Sequence, residues 1–255
     1  MRLKNTFDIL LLIVRPAAGK SEIIDYLKRT ARAGRVRRFH IGEFSEIDDF
    51  PMLWSWFEED ALLAEMGFPC LHTAAEGYFL GNHLWDLLVR RICLEYRKQQ
   101  RPAAGKAAPA TTILEFSRGK EHGGYASAFD SLSRKVMEKL AILYVNVSWA
   151  ESLRKNCQRF NPQRPDSILE HGLSDDKLEK LYKENDWGEV SAADPHFVAI
   201  QGRRVPYVVF ENEDDVTTGR GDPLGARLEV YLGRLWELYG ESNKEEKGAF
   251  ISVLM

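Results

Sequence analysis

The sequence predicts an α/β protein with a mainly parallel sheet of five strands. Three observations lead there. Strand candidates near residues 9, 37, 113, 142 and 207, the one near 37 alternating only partly, are interleaved with stretches of helical periodicity. The runs Ile9–Val14 and Ala141–Ser148 are almost unbroken, as in strands buried on both faces. The 255-residue length suits one large domain or two small ones and is read as a single domain spanning 1–255, with 44% hydrophobic residues ample for a core and 29% charged.

Ile9–Val14 is the first strand, and Ile23, Ile24 and Leu27 place a helix over 21–33 that ends near Gly34. Val36–Ile41 is read as the second strand, followed by a loop, 42–51, that carries four carboxylates. Residues 52–66 read as a helix with Leu53, Trp56, Phe57 and Leu62 or Leu63 on a broad apolar face. Residues 77–100 hold a longer helix with Leu84, Leu87, Leu88, Ile92 and Tyr96 on one side. Together they make 43–100 a helical insertion lying over the carboxyl edge of the sheet. Pro102–Pro109 is an Ala/Pro connection.

Thr111–Ser117 is the third strand, and a glycine-rich stretch, 120–125, leads to a helix over 126–140 with Phe129, Leu132, Val136 and Leu140 in phase. The strand 141–148 precedes a cationic helix, 149–160, broken by Asn161–Pro165. Ser174 is the N-cap of another helix. Phe197–Ile200, Gln201-Gly202 and Arg203–Phe210 read as a hairpin feeding the last strand. A closing helix over 224–239 has the seam Leu228, Leu232, Leu235 and Trp236, and 241–247 reads as a solvated tail. Ligands of parallel sheets bind beyond the carboxyl ends of the strands, so the loops after Val14, Ile41, Phe116, Ser148 and Glu211 should meet at the site.

The first loop carries the strongest motif: Arg15-Pro-Ala-Ala-Gly-Lys-Ser21, then Glu22, between a buried strand and a helix. Gly19 allows the backbone to approach phosphate, and the helix N-terminus offers N–H donors to an anion. Lys20 has the reach for β- and γ-phosphates, and Ser21 has a hydroxyl for Mg²⁺. A Gly-Lys-Ser helix cap without a ligand is the other reading. Arg101–Lys106 repeats the hexapeptide of Arg15–Lys20, but it follows a charged stretch and precedes Ala107, so it is read as part of a connection.

On these residues the chain resembles the P-loop kinases, particularly the adenylate-kinase type, which carries a proline within the loop, here Pro16. Family members have glycine where this chain has Val14, and often where it has Ala17. The resemblance implies a three-layer P-loop NTPase-like fold, ATP and Mg²⁺ as cofactors, and a lid-like helical segment, here 149–190. It implies nucleotide contacts from Arg15, Pro16, Ala17, Ala18, Gly19, Lys20, Ser21 and Glu22. Ile47-Asp-Asp-Phe50 resembles the Asp-Asp-Phe-Tyr segment of the uridine-kinase and phosphoribulokinase group, which implies Asp48 or Asp49 as the acceptor-facing carboxylate. The alternative for both is a solvated acidic turn. Glu115, in the third strand, is paired with Ser21 as a metal ligand in this reading. A carboxylate between Ile113 and Ser117 on one face needs a metal, a cation or a structural ion-pair partner. Leu114–Arg118 also resembles the Glu-Arg-Ser segment of deoxynucleoside kinases. Arg154, Arg159 and Arg164 resemble lid arginines, whose guanidinium fork suits phosphate oxygens; an exposed cationic helix is the other reading. Trp54, Trp56, Phe57 and Tyr78 are candidates to stack on an acceptor ring or to pack in the core.

The expected function is phosphoryl transfer from ATP to a small-molecule acceptor such as a nucleoside or nucleotide. A nucleotide-binding switch or an interaction module with little turnover is the alternative, favoured by Val14. The formal charge of −3 gives no general case for nucleic acid or an anionic membrane, and the cationic run 28–38 reads as a solvated helix end. Cys70, Cys93 and Cys157 share no metal-ligand spacing, and so sparse a set suggests reduced thiols and a cytoplasmic setting. Arg2 and Lys4 precede an apolar run, but Asp8 interrupts its onset and the run enters the phosphate loop, which argues against a secretory signal. No apolar stretch has transmembrane length. The histidines form no zinc pattern, and no nucleophilic triad motif is present.

Overall fold

The structure, a computed structural model, describes residues 5–101, 110–159 and 174–254. In chain order the first half comprises β1 (Ile9–Val14), α1 (Lys20–Arg29), α2 (Arg32–Phe39), β2 (Phe44–Asp48), α3 (Phe50–Glu65) and α4 (His83–Gln99). Then come β3 (Thr111–Phe116), α5 (Gly124–Asp130), α6 (Arg134–Met137), β4 (Leu140–Asn146) and α7 (Trp149–Arg159). The chain closes with α8 (Asp175–Tyr182), α9 (Trp187–Val190), β5 (Phe197–Ile200), β6 (Arg203–Glu211) and α10 (Asp222–Leu254).

The described residues form an α/β fold around a sheet of six strands in the order β2-β3-β1-β4-β6-β5. Every pairing is parallel except that of the edge strand β5 with β6. β1 lies at the centre and is buried throughout, so its six apolar residues alternate between two cores. Leu10, Leu12 and Val14 pack with Ile23 and Leu27 of α1 and with Leu228, Leu232 and Leu235 of α10. Ile9, Leu11 and Ile13 pack with Val89 and Ile92 of α4 and Phe129 of α5. The sheet is thus sandwiched between two helical layers. A third cluster, Trp56, Leu84, Trp85 and Leu88, holds α3 against α4. β1 and β4 are neighbours whose chains depart toward opposite edges of the sheet, β1 toward β2 and β4 toward β6. The crevice beyond their carboxyl ends is where such a fold accepts ligands.

Several expectations are corrected. The sheet has six strands, not five, because β5 is a full strand of the hairpin. Val36–Ile41 is not the second strand. It is mostly α2, whose inward residues are Arg35 and Phe39, one helical turn apart. The Arg35 guanidinium reads as surface charge in the sequence but is buried against the carbonyls of Leu27 and Gly42, at 3.0 and 3.1 Å. The second strand is the acidic segment Phe44–Asp48. It is an edge strand bonded only to β3, and such strands tolerate charge. The helical insertion therefore begins with α3 rather than at residue 43. The helix expected over 126–140 is broken into α5 and α6, and Leu140 already belongs to β4. The stretch 241–247 continues α10. The connection Pro102–Pro109 and the break Asn161–Pro165 lie outside the described residues.

Candidate functional site

A cleft of about 660 Å³ opens beyond the carboxyl ends of the strands, at the head of α1. The loop from Val14 to Lys20 forms its floor. β1 ends in the core at Val14, which is 1% exposed, and α1 begins at Lys20, leaving the chain only five residues in which to turn. Two of them take the left-handed conformation: Ala17 at φ 61° and Gly19 at φ 106°. A Cβ on Gly19 would collide with Thr217 Oγ1, so glycine is required there twice over. Ala17 carries a side chain in a conformation that ordinarily favours glycine, which costs about 1–2 kcal/mol.

Neighbouring elements hold this loop. Asn212, fully buried, donates from Nδ2 to Ala18 O at 3.0 Å and to Thr217 Oγ1 at 2.9 Å. Ser152 Oγ of α7 donates to Pro16 O at 2.8 Å. Arg15 donates from one terminal nitrogen to Val147 O at 2.8 Å and from the other to Lys183 O at 3.1 Å. Its Nε is buried and has no hydrogen-bond partner among the described residues. The first backbone bond into α1 runs from Ile23 N–H to Gly19 O at 3.1 Å, so the N–H groups of Lys20, Ser21 and Glu22 have no intrahelical acceptor. An orphaned guanidinium nitrogen, first-turn N–H donors and a glycine that only its missing side chain allows are together suited to an anion.

The carboxylates stand on the adjacent strands. Asp48 of β2 and Glu115 of β3 are register partners, and Leu12 of β1 is opposite Glu115. Lys20 Nζ lies 3.3 Å from Glu115 Oε2 and 3.7 Å from Asp48 Oδ1. Burial pulls the Lys20 pKa down, but Asp48, Glu115 and Asp49 outweigh it and raise it above the ordinary lysine value. Burial pushes the Glu115 carboxyl up to about 7, against the opposing pull of Lys20, with Asp48 adding to the rise. The cluster therefore holds a protonated lysine between carboxylates, one of which shares a proton near neutral pH. The expectation that Glu115 needs a partner on its face is met by Lys20.

Asp49 behaves differently from its neighbour. It is 5% exposed and accepts from Arg118 at 2.6 Å, while Arg118, 3% exposed, also donates to Ser117 O and Trp85 O. Burial raises the Asp49 pKa, and the Arg118 guanidinium opposes that rise. Asp48 is the more accessible carboxylate, and its Oδ1 accepts from Phe50 N–H at 3.1 Å.

The cleft gathers Arg15, Pro16, Ala17, Gly19, Lys20, Ser21 and Glu22 with Asp48, Asp49 and Glu115; Ala18 is buried beneath the loop. Arg154 is not among its walls. It turns instead to Glu151, Gln158 and Asp215, with Asp215 at 3.0 Å. The side chain of Arg159 and the whole of Arg164 lie outside the described residues. Lys155, next in the chain to Arg154, does line the cleft, where it is paired with Asp215 and donates to Thr217 Oγ1 at 3.2 Å. Sequence reasoning missed Lys155, Tyr182, Asn212 and Thr217. The only available clue for Lys155 was periodicity, since Ser152, Lys155 and Asn156 form the buried stripe of α7. Of the aromatic candidates, Trp54, Phe57 and Tyr78 line a second, neighbouring pocket, whereas Trp56 is 3% exposed in the core of the lobe.

Among the described residues no group of three or more His, Cys, Asp or Glu side chains is arranged to hold a metal ion. Ser21 and Glu115 both line the cleft, with Asp48 beside Glu115. These are oxygen donors of the kind a hard divalent cation takes, and the Lys20 ammonium stands against both carboxylates. Cys70, Cys93 and Cys157 are free thiols, and among the described residues no helix is long and apolar enough to cross a membrane. The chain matches no protein-family model and no curated protein. Fold and site define an α/β protein whose polar cleft lies at the switch point of its sheet.

Proposed function

We propose that this is a P-loop NTPase-like protein that binds Mg²⁺·ATP on the loop 15–21 and transfers the γ-phosphate to a small molecule, such as a nucleoside or nucleotide. The observation that carries this reading is the position of Lys20. It heads the helix after a buried parallel strand, above a left-handed glycine, and its ammonium lies between two carboxylates on neighbouring strands.

The loop N–H groups and Arg15 would bind the phosphates. A phosphate on the loop competes with Glu115 and Asp48 for Lys20 Nζ, and each partner drawn away leaves a carboxylate able to ligate a cation. Ser21 and Glu115 would hold Mg²⁺, which when bound neutralises charge on the phosphate oxygens. Asp48 is the carboxylate suited to take the proton of an acceptor hydroxyl, because it is accessible and Asp49 is committed to Arg118. The new P–O bond forms at that hydroxyl as the β–γ phosphoanhydride breaks, leaving ADP. Lys155, which lines the cleft where Arg154 does not, would steady the transferred charge, a role assigned in the sequence to Arg154 and Arg159.

The second reading is a nucleotide-binding switch with little turnover. Val14 favours it, since a buried valine stands where P-loop kinases have glycine. The test is calorimetric titration of Mg²⁺·ATP into wild type and Lys20→Ala, followed by transfer of labelled phosphate to a metabolite pool. Tight Mg²⁺-dependent binding lost in Lys20→Ala, with labelled product, supports the kinase. Binding without product supports the switch, and no binding overturns both.

A further inference from the structure

A second pocket of about 580 Å³ adjoins the phosphate cleft, and Phe50, Leu53, Trp85 and Tyr182 line both. Its size falls in the range of small-molecule sites. Trp54, Phe57, Tyr78 and Phe79 supply further aromatic walls. The charged groups at this pocket are already engaged. Lys180 Nζ lies 4.1 Å above the Tyr78 ring and 3.9 Å from Glu121, and Lys177 Nζ donates to Gly77 O at 3.4 Å.

One polar wall is not engaged. His122 is 6% exposed and stacks on Trp85 with ring centroids 4.1 Å apart, yet its Nε2 is buried with no hydrogen-bond partner among the described residues. Buried polar atoms are nearly always satisfied, so this one calls for an account. Burial, with Arg118 and Lys180 nearby, pushes the imidazole down to about 4, so the ring is neutral at physiological pH. A neutral ring nitrogen among aromatic faces suits an uncharged heterocycle better than an ion. The fold also holds firm the wall that Leu181 and Tyr182 form. A Cβ on Gly119 would collide with Leu181 O, and Lys120 N–H donates to Glu184 O at 2.8 Å, so the end of α8 is locked against the loop after β3.

We infer that this second pocket is the acceptor site, that it takes an uncharged planar heterocyclic ring with a hydroxyl-bearing arm, and that His122 selects the ring by hydrogen bonding to its edge. The arm would pass Tyr182 toward Asp48 and Lys20. This deepens the phosphoryl-transfer reading and rests on it only for the fate of the arm; binding of the ring is independent of ATP.

The test is tryptophan-fluorescence titration of the full chain with thymidine, guanosine, ribose and pantothenate, with and without saturating Mg²⁺·ATP. At least one of the two nucleosides should bind saturably under both conditions, and ribose and pantothenate should not. His122→Phe, which keeps the stack and removes the nitrogen, should weaken that nucleoside about tenfold while leaving Mg²⁺·ATP affinity within twofold. Trp54→Ala, at the half-exposed wall, should weaken it about tenfold without threatening the core. Equal binding of ribose and the nucleosides, no binding of either nucleoside, or unchanged affinity in both variants overturns the inference. Nucleoside binding without ATP binding would leave the pocket assigned and sink the phosphoryl-transfer reading, whereas ATP binding without nucleoside binding would sink the pocket assignment and leave the phosphoryl-transfer reading to the labelled-phosphate assay.

Discussion

Glu115→Gln isolates the proton held in the candidate site. In the wild type the carboxyl moves from its ordinary 4.5 to about 7 because it is buried, at 5% exposure, and Lys20 only partly offsets that burial. The folded state thus holds this proton more tightly than the unfolded chain does. The group costs nothing below about pH 4.5, where both states are protonated, and an increasing amount as pH rises, with the full penalty reached above about pH 7. At ~1.4 kcal/mol per pH decade, the penalty comes to about 3 kcal/mol. Glutamine has no proton to lose and keeps a hydrogen-bonding group beside Lys20. The stability of wild type relative to Glu115→Gln should therefore fall by about 3 kcal/mol between pH 4.5 and 8. For a chain of this size that is about 6–12 °C in relative Tm.

Urea and thermal unfolding of both proteins at half-unit pH steps measure this directly. A divalent cation that ligates Glu115 should return part of the loss in wild type above pH 7 and do nothing for the glutamine variant. Parallel stability curves for the two proteins over this range would refute the assignment of the raised pKa to Glu115. Stabilisation by Mg²⁺·ATP of equal size in both would refute its proposed role as a metal ligand.

Further outcomes are expected around the loop and its neighbours. Gly19→Ala should lose the Mg²⁺·ATP thermal shift and about 1–3 kcal/mol of stability, since a methyl group there meets Thr217 and the left-handed φ is strained. Ala17→Gly should be neutral or stabilising by up to about 1 kcal/mol in urea unfolding, because glycine relieves φ 61° at the cost of a more flexible unfolded chain. Asp49→Asn should destabilise by about 3 kcal/mol by leaving the Arg118 charge buried, whereas Asp48→Asn should leave the midpoint nearly unchanged and cut phosphate transfer by about 10²–10⁴-fold. Lys106→Ala should leave ATP affinity at the wild-type value in the same titration that detects the loss in Lys20→Ala.

The sequence made legible those parts of the fold and site whose local pattern and tertiary role agree. β1 reads as a doubly buried strand because every residue from Ile9 to Val14 is apolar, and the structure buries every one. Glu115 could be singled out because a carboxylate on the face of Ile113 demands a partner, and that demand does not depend on knowing the partner. Failures came where tertiary contacts reverse the local pattern. Arg35 satisfies its guanidinium on three backbone carbonyls, so a residue that reads as exposed charge becomes the inward face of α2. β2 shows little strand periodicity because it borrows its order from β3 and exposes its other edge.

The same reasoning separates the two adjacent aspartates, which no reading of Ile47-Asp-Asp-Phe50 could do. Asp48 ends a strand and Asp49 opens the turn into α3, so their side chains leave the backbone in different directions and meet different cations. One meets a lysine that lines the cleft, and the other a guanidinium held by Trp85 O and Ser117 O in the interior. A carboxylate bound to a buried cation held by three acceptors has little freedom to move a proton, while in the proposed reaction a bound phosphate would draw the lysine away from the other. That difference in the partner's mobility, invisible in the residue types, is what makes Asp48 the base in the proposed reaction and Asp49 the anchor of the wall behind it.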